Sequence, residues 1–138
     1  MVIADTSVWI PFFNRPESPE KQAIDTLIDE DRLALAGIVV AELLQGCRTP
    51  KVADTILDKL TGVRFLDTRF STWRHAGELS ASLRRKGITV PLSDVIIAAL
   101  GIEHHAEVYT LDPHFEKIPG LTLHKPRRHP RTRPHPTA

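Results

Sequence analysis

With 138 residues the chain has room for one domain and a real core, and its 41% hydrophobic content is ordinary for a globular protein. The formal charge is +1, yet five of the 18 Lys and Arg crowd into the last fourteen residues beside no acid. The body is therefore mildly acidic and the tail basic, which hints weakly at a polyanionic partner. Apolar runs such as Ile38-Val39-Val40-Ala41 are far too short to span a bilayer, so no membrane association is expected. The start of the chain lacks the basic region of a signal peptide and carries Asp5 where one would need apolar sequence. The lone Cys47 cannot form an internal disulfide, so a reducing, cytoplasmic setting is expected.

Met1 to Ala4 reads as a buried strand that ends in Asp5. Ser7 to Asn14 follows as a helix, with Pro11 tolerated in its first turn. After the Pro16–Pro19 loop, Glu20 to Glu30 repeats Ala23, Ile24, Leu27 and Ile28 at helical spacing. Arg32 to Ala36 is a short strand and Ile38 to Gly46 a helix closed by glycine. Lys51 to Leu60 is amphipathic. Val63 to Leu66 is a strand, and Asp67 or Thr68 caps a helix to about Lys86 with Trp73, Ala76, Leu79 and Leu83 facing inward.

Asp94 to about His104 is so uniformly apolar that burial on most sides is expected. Glu107 to Leu111 is a strand, Asp112 to Phe115 a turn, and Leu121 to Leu123 a last edge strand. Alternating strands and helices predict an α/β fold, a three-layer α/β/α sandwich with a mostly parallel sheet. From Lys125 onward the chain has almost nothing to bury, which predicts a domain at 1–124 and a flexible basic Pro/Arg/His-rich tail at 125–138.

Four acids fall at informative places. Asp5 and Asp112 end strands, and in a parallel sheet those ends share one edge, where ligands bind in open α/β sheets. Asp94 lies in the first turn of a helix that starts at the same edge. Glu42 sits within an otherwise apolar helix, where a lone carboxylate is costly without a partner. Clustered carboxylates repel and lose hydration, and a divalent cation relieves both. Hard oxygen ligands with no nearby Cys or His favour Mg²⁺ or Mn²⁺ over Zn²⁺. Such a site activates water and holds a phosphate for in-line attack. Thr6, Ser7 and Thr110 are placed to donate hydrogen bonds to a carboxylate or phosphate oxygen, and Ser93 to do the same or cap its helix.

Each acid also has a plainer role. Asp5 and Asp94 suit helix N-caps, Asp112-Pro113 is an ordinary turn signal, and Glu42 could face water. The joint placement of all four favours a shared pocket over four coincidences.

The stretches Val2–Trp9, Val40–Gly46, Leu92–Ala99 and Tyr109–Phe115 resemble, in order and spacing, the four motifs of PIN-domain nucleases. The likeness is to the VapC-type ribonuclease toxins of toxin–antitoxin pairs and covers about residues 1–123. It implies a five-stranded parallel sheet flanked by helices and Mg²⁺- or Mn²⁺-dependent cleavage of RNA by water. It also implies a homodimer and an antitoxin protein that blocks the site. Asp5, Glu42, Asp94 and Asp112 match the catalytic and metal-binding quartet, Asp5 and Asp94 most directly. Thr6 or Ser7 matches the hydroxyl beside the first acid, and Thr110 the one before the fourth.

Other features read more simply. His104-His105 closes a helix, and His124, His129 and His135 match no metal spacing. Trp73 occupies a core position, while Trp9 either packs under the first strand or meets a second subunit. Arg84, Arg85 and Lys86 suit the end of a helix. A haloacid-dehalogenase-like phosphotransferase would need a second Asp where Ser7 stands, and a receiver-like signalling domain would need paired acids at the first strand and a late lysine. A PIN-like module without turnover, binding an antitoxin and regulating its operon, is the remaining alternative.

Overall fold

The computed structural model describes residues 1–127, so most of the expected tail, from Arg128 on, lies outside the described residues. Four strands run parallel: β1 (Val2–Ala4), β2 (Leu33–Ala36), β3 (Arg64–Leu66) and β4 (Glu107–Tyr109). Among the described residues six helices connect and flank them: α1 (Thr6–Asn14), α2 (Pro19–Asp29), α3 (Gly37–Gln45), α4 (Pro50–Leu60), α5 (Phe70–Arg85) and α6 (Leu92–Glu103). A 3₁₀ turn, Pro113–Lys117, follows β4.

The strand order is β3-β2-β1-β4, which puts the first strand inside the sheet. Ile3 lies opposite Ala34 on one side and Val108 on the other. β1 is buried along its whole length, as continuous apolar sequence in a parallel sheet requires. The chain reverses direction beside β1, with β2 reached before β4. That is the switch point at which the carboxyl ends of parallel strands open a crevice.

The sheet has four strands among the described residues, not the five expected. The Leu121–Leu123 segment forms one parallel bridge, Val108 to Leu123, with two backbone bonds: Val108 N–H to Thr122 O (2.9 Å) and His124 N–H to Val108 O (2.8 Å). Pro119 and Pro126 flank it and supply no N–H, and Gly120 turns the chain at φ +81°, so the ladder has no room to lengthen.

Helix ends follow local chemistry. Ser18 and Thr49 cap α2 and α4 with their hydroxyls, and each helix has proline at its first position. Lys86 ends α5 and Gly87 leaves it at φ +75°, a conformation that favours glycine. α6 is buried from Val95 to Gly101 without a break, as its sequence predicted. Its packing on β4 is close: a Cβ on Gly101 would meet Val108 Cγ2 at 3.0 Å.

Two expectations for α5 fail together. The helix is capped by neither Asp67 nor Thr68, but starts after Arg69, whose N–H donates to Thr72 Oγ1 (3.3 Å). Thr72 is fully buried and its hydroxyl bonds the Glu103 carboxylate on α6, which also accepts from Ser71 Oγ (2.8 Å). That polar anchor selects the inner face as Thr72, Ala76 and Leu83. Trp73, one residue round the helix, is 52% exposed and not in the core. Trp9 is fully buried, stacked on Phe13 and edge-on to Phe12, with no hydrogen-bond partner for its indole N–H among the described residues. No helix of the described residues is long and apolar enough to cross a membrane.

Candidate metal centre

The pocket is built where β1 and β4 end side by side. Asp5 N–H donates to Tyr109 O (3.0 Å), one more rung of the β1–β4 ladder, and α1 starts immediately after. Asp5 is only 4% exposed. Its Oδ1 accepts from the Ser7 N–H (3.1 Å) and the Ser7 hydroxyl (2.5 Å), and its Oδ2 from the Thr110 hydroxyl (2.8 Å). Asp5 is thus a helix N-cap and a member of the pocket at once; the two roles coexist.

The hydroxyl protons have one direction. The Leu111 N–H donates to Ser7 Oγ and the Asp112 N–H to Thr110 Oγ1, both at 2.9 Å. Each hydroxyl has a single proton, and accepting from the backbone leaves it to donate to Asp5. Burial nevertheless dominates and raises the Asp5 carboxyl above its ordinary range. The three hydrogen bonds pull it down and the Asp112 charge pushes it up.

Glu42 reaches the same corner from α3. The helix begins at Gly37 directly after β2, and Thr6 Oγ1 donates to Glu42 Oε1 at 2.9 Å, tying it to the residue next to Asp5. Asp94 is the third residue of α6, half-buried in the first turn. Its carboxyl is pushed up to about 6, by burial first and then by the charges of Asp112, Asp5 and Glu42, with His114 pulling the other way. All three other acids therefore lie close enough to act on Asp94 electrostatically. Ser93 is the second residue of α6 and does not cap it; Pro91 holds the cap position.

Asp112 caps the 3₁₀ turn, and its Oδ1 accepts from the His114 N–H at 2.9 Å. The same oxygen meets His114 Nδ1 at 2.7 Å. One ligand atom from each of Asp94, Asp112 and His114 lies within 4.8 Å of the others. The expectation of a pocket without histidine is therefore overturned. The sequence signal for His114 is faint: Asp112-Pro113 announces a turn in which the aspartate caps the N–H two residues on, which carries that residue back toward the carboxylate.

Seven residues singled out in the sequence thus come together from four places in the chain: Asp5, Thr6 and Ser7; Glu42; Asp94; and Thr110 with Asp112. The donor set is oxygen-rich with one imidazole at its edge, which fits a Mg²⁺- or Mn²⁺-sized hard cation. A separate groove, lined by Phe12, Phe13, Lys21, Thr55, Asp58 and Lys59, shares no residue with this cluster.

Comparison with known proteins bears on the family and the fold. The chain is 29% identical over 126 residues to Ribonuclease VapC11 of Mycobacterium tuberculosis, covering 88% of this chain and 94% of that protein. It is 26% identical over 124 residues to Ribonuclease VapC2 of Rickettsia felis, covering 86% and 92%. Among solved structures, VapBC2 of Rickettsia felis bound to a DNA fragment from its promoter matches with TM-score 0.79 at 25% identity, covering 90% of this chain and 98% of that one. VapBC of Salmonella typhimurium, also bound to DNA, shares the fold at TM-score 0.75 and 24% identity, with 89% and 96% covered. The PIN domain family model matches residues 2–121, and the chain belongs to that family.

Proposed function

We propose that this protein is the ribonuclease toxin of a toxin–antitoxin pair, a Mg²⁺- or Mn²⁺-dependent phosphodiester hydrolase acting on RNA in the cytoplasm. The observation that carries the reading is the gathering of Asp5, Glu42, Asp94 and Asp112 at one sheet edge, close enough for three of them to act on the fourth. Relatives named as ribonucleases support the activity, and the VapBC complexes among similar structures support an antitoxin partner. The division into a nuclease domain at 1–124 and a basic tail at 125–138, and assembly as a homodimer, belong to the same proposal.

In this reading Asp5, Glu42, Asp94 and Asp112 hold the cation, and Ser7 and Thr110 aim the Asp5 carboxylate with hydrogen bonds that favour its ionised form. When bound, the cation activates water and offsets charge building on the phosphoryl oxygens. Thr6 fixes the rotamer of Glu42 through its hydroxyl. One of the four carboxylates would accept the proton from the attacking water. The alternative, a module that binds an antitoxin and regulates its operon without turnover, predicts no cleavage by the purified chain.

The test is cleavage of an RNA pool by the purified chain with Mg²⁺ or Mn²⁺, with and without EDTA, beside Asp5→Asn and Asp94→Asn. Cation-dependent products with 5′-phosphate and 3′-hydroxyl ends are expected, sharply reduced in both variants. Full activity in either folded variant overturns the assignment.

A further inference from the structure

We infer that His114 is itself a ligand of the cation, so that this pocket takes one nitrogen donor beside its carboxylates. The inference rests on the metal reading above and goes one residue beyond the acidic quartet. Ligands of one six-coordinate ion at about 2.1 Å stand roughly 3 to 4.2 Å apart. The nearest ligand atoms of Asp94, Asp112 and His114 already lie within 4.8 Å of one another, so a closure of well under an ångström brings them to bonding positions.

The imidazole is also oriented for the task. Asp112 Oδ1 accepts from the His114 backbone N–H and meets ring Nδ1 at 2.7 Å. With the ring proton on Nε2, Nδ1 carries its electron pair on the side that faces Asp112 and is the nitrogen placed to share an ion with that carboxylate. The remaining oxygen, Asp112 Oδ2, has no hydrogen-bond partner among the described residues and is left for the ion. His114 is 43% exposed, so the ring turns without disturbing the core. A nitrogen donor shifts preference from Mg²⁺ toward the softer Mn²⁺.

The experiment uses the full chain, stripped of metal and loaded with Mn²⁺ alone. Pulsed electron paramagnetic resonance is expected to show one directly coordinated nitrogen in the wild type and none in His114→Gln. Calorimetric titration is expected to show the Mn²⁺-over-Mg²⁺ affinity ratio falling by about tenfold in that variant. Bound Mn²⁺ without nitrogen coupling, or with coupling that persists in His114→Gln, overturns the role of His114 and leaves the carboxylate site standing. Absence of Mn²⁺ binding to the wild type overturns the metal reading itself, and this inference with it. The wild-type spectrum decides the matter even where the variant is unstable.

Discussion

Thr110 Oγ1 donates to Asp5 Oδ2 at 2.8 Å across 105 residues of sequence. The bond exists because β1 and β4 are parallel neighbours, with Ala4 opposite Tyr109, so the next residue of each strand emerges at the same point. A hydrogen bond to a charged group contributes about 1.5–3 kcal/mol. Thr110→Val keeps the shape and removes the hydroxyl, so RNA cleavage should fall at least about tenfold. Thr110→Ser should retain most of it. Steady-state rates on one defined RNA check this; an unimpaired valine variant would show that the clamp on Asp5 is dispensable.

Asp94 contributes a pH dependence to the stability of the metal-free protein. Its carboxyl rises from 3.8 to about 6 on folding, so the folded state binds the proton more tightly than the unfolded chain. The linked contribution to stability is therefore fully present below about pH 3.8 and is lost as pH rises toward 6. In EDTA, the melting temperature of wild type minus that of Asp94→Asn should fall across this window. A difference independent of pH would sink the argument.

The same crowding predicts opposite effects of one substitution on stability and activity. Asp94→Asn removes a charge that its neighbours oppose, so the metal-free variant should melt higher than wild type above pH 6. Its RNA cleavage should drop by about two orders of magnitude or more. A variant that loses both stability and activity would point to a merely structural carboxylate.

Adding the cation should reverse the penalty. Mg²⁺ or Mn²⁺ binds the folded pocket and not the unfolded chain, so wild type should gain about 2.7 kcal/mol at a hundredfold excess over the dissociation constant. Asp5→Asn should gain far less. Denaturant melts with and without EDTA measure this directly, and equal gains would place the cation elsewhere.

Away from the pocket, the Thr72 hydroxyl joins α5 to α6 through Glu103, whose carboxyl is held below its ordinary range chiefly by that bond. Thr72→Val leaves Glu103 with Ser71 alone and the Arg69 N–H without its acceptor. A loss of about 1–3 kcal/mol in urea unfolding is expected, with cation affinity unchanged. A shift in cation affinity would mean that the α5–α6 contact also positions Asp94.

The acids were legible because each broke a local pattern. Asp5 ends an apolar strand, Glu42 interrupts an apolar helix, and Asp94 opens the most apolar helix of the chain. Position along an element was enough to send them to one edge, since parallel strands share their ends. Three features were not legible. His114 reaches the site through a turn, where no periodicity operates, and only the Asp112 cap brings it back. Trp73 sits on the apolar stripe, but a buried threonine fixed the inner face of α5. The Leu121–Leu123 strand had the right residues, yet its flanking prolines leave it a single bridge. In the last two cases the competing force was a backbone or hydroxyl hydrogen bond, which hydrophobic patterning does not register.

The place of β1 between β2 and β4 has a consequence for biosynthesis. A ribosome delivers Asp5 105 residues before Thr110, and Asp112 and His114 come later still. Until they emerge, the first strand lacks one of its two neighbours and its carboxylate lacks half its clamp. Every growing copy is therefore an unfinished tool until the ribosome has passed β4 and the turn after it.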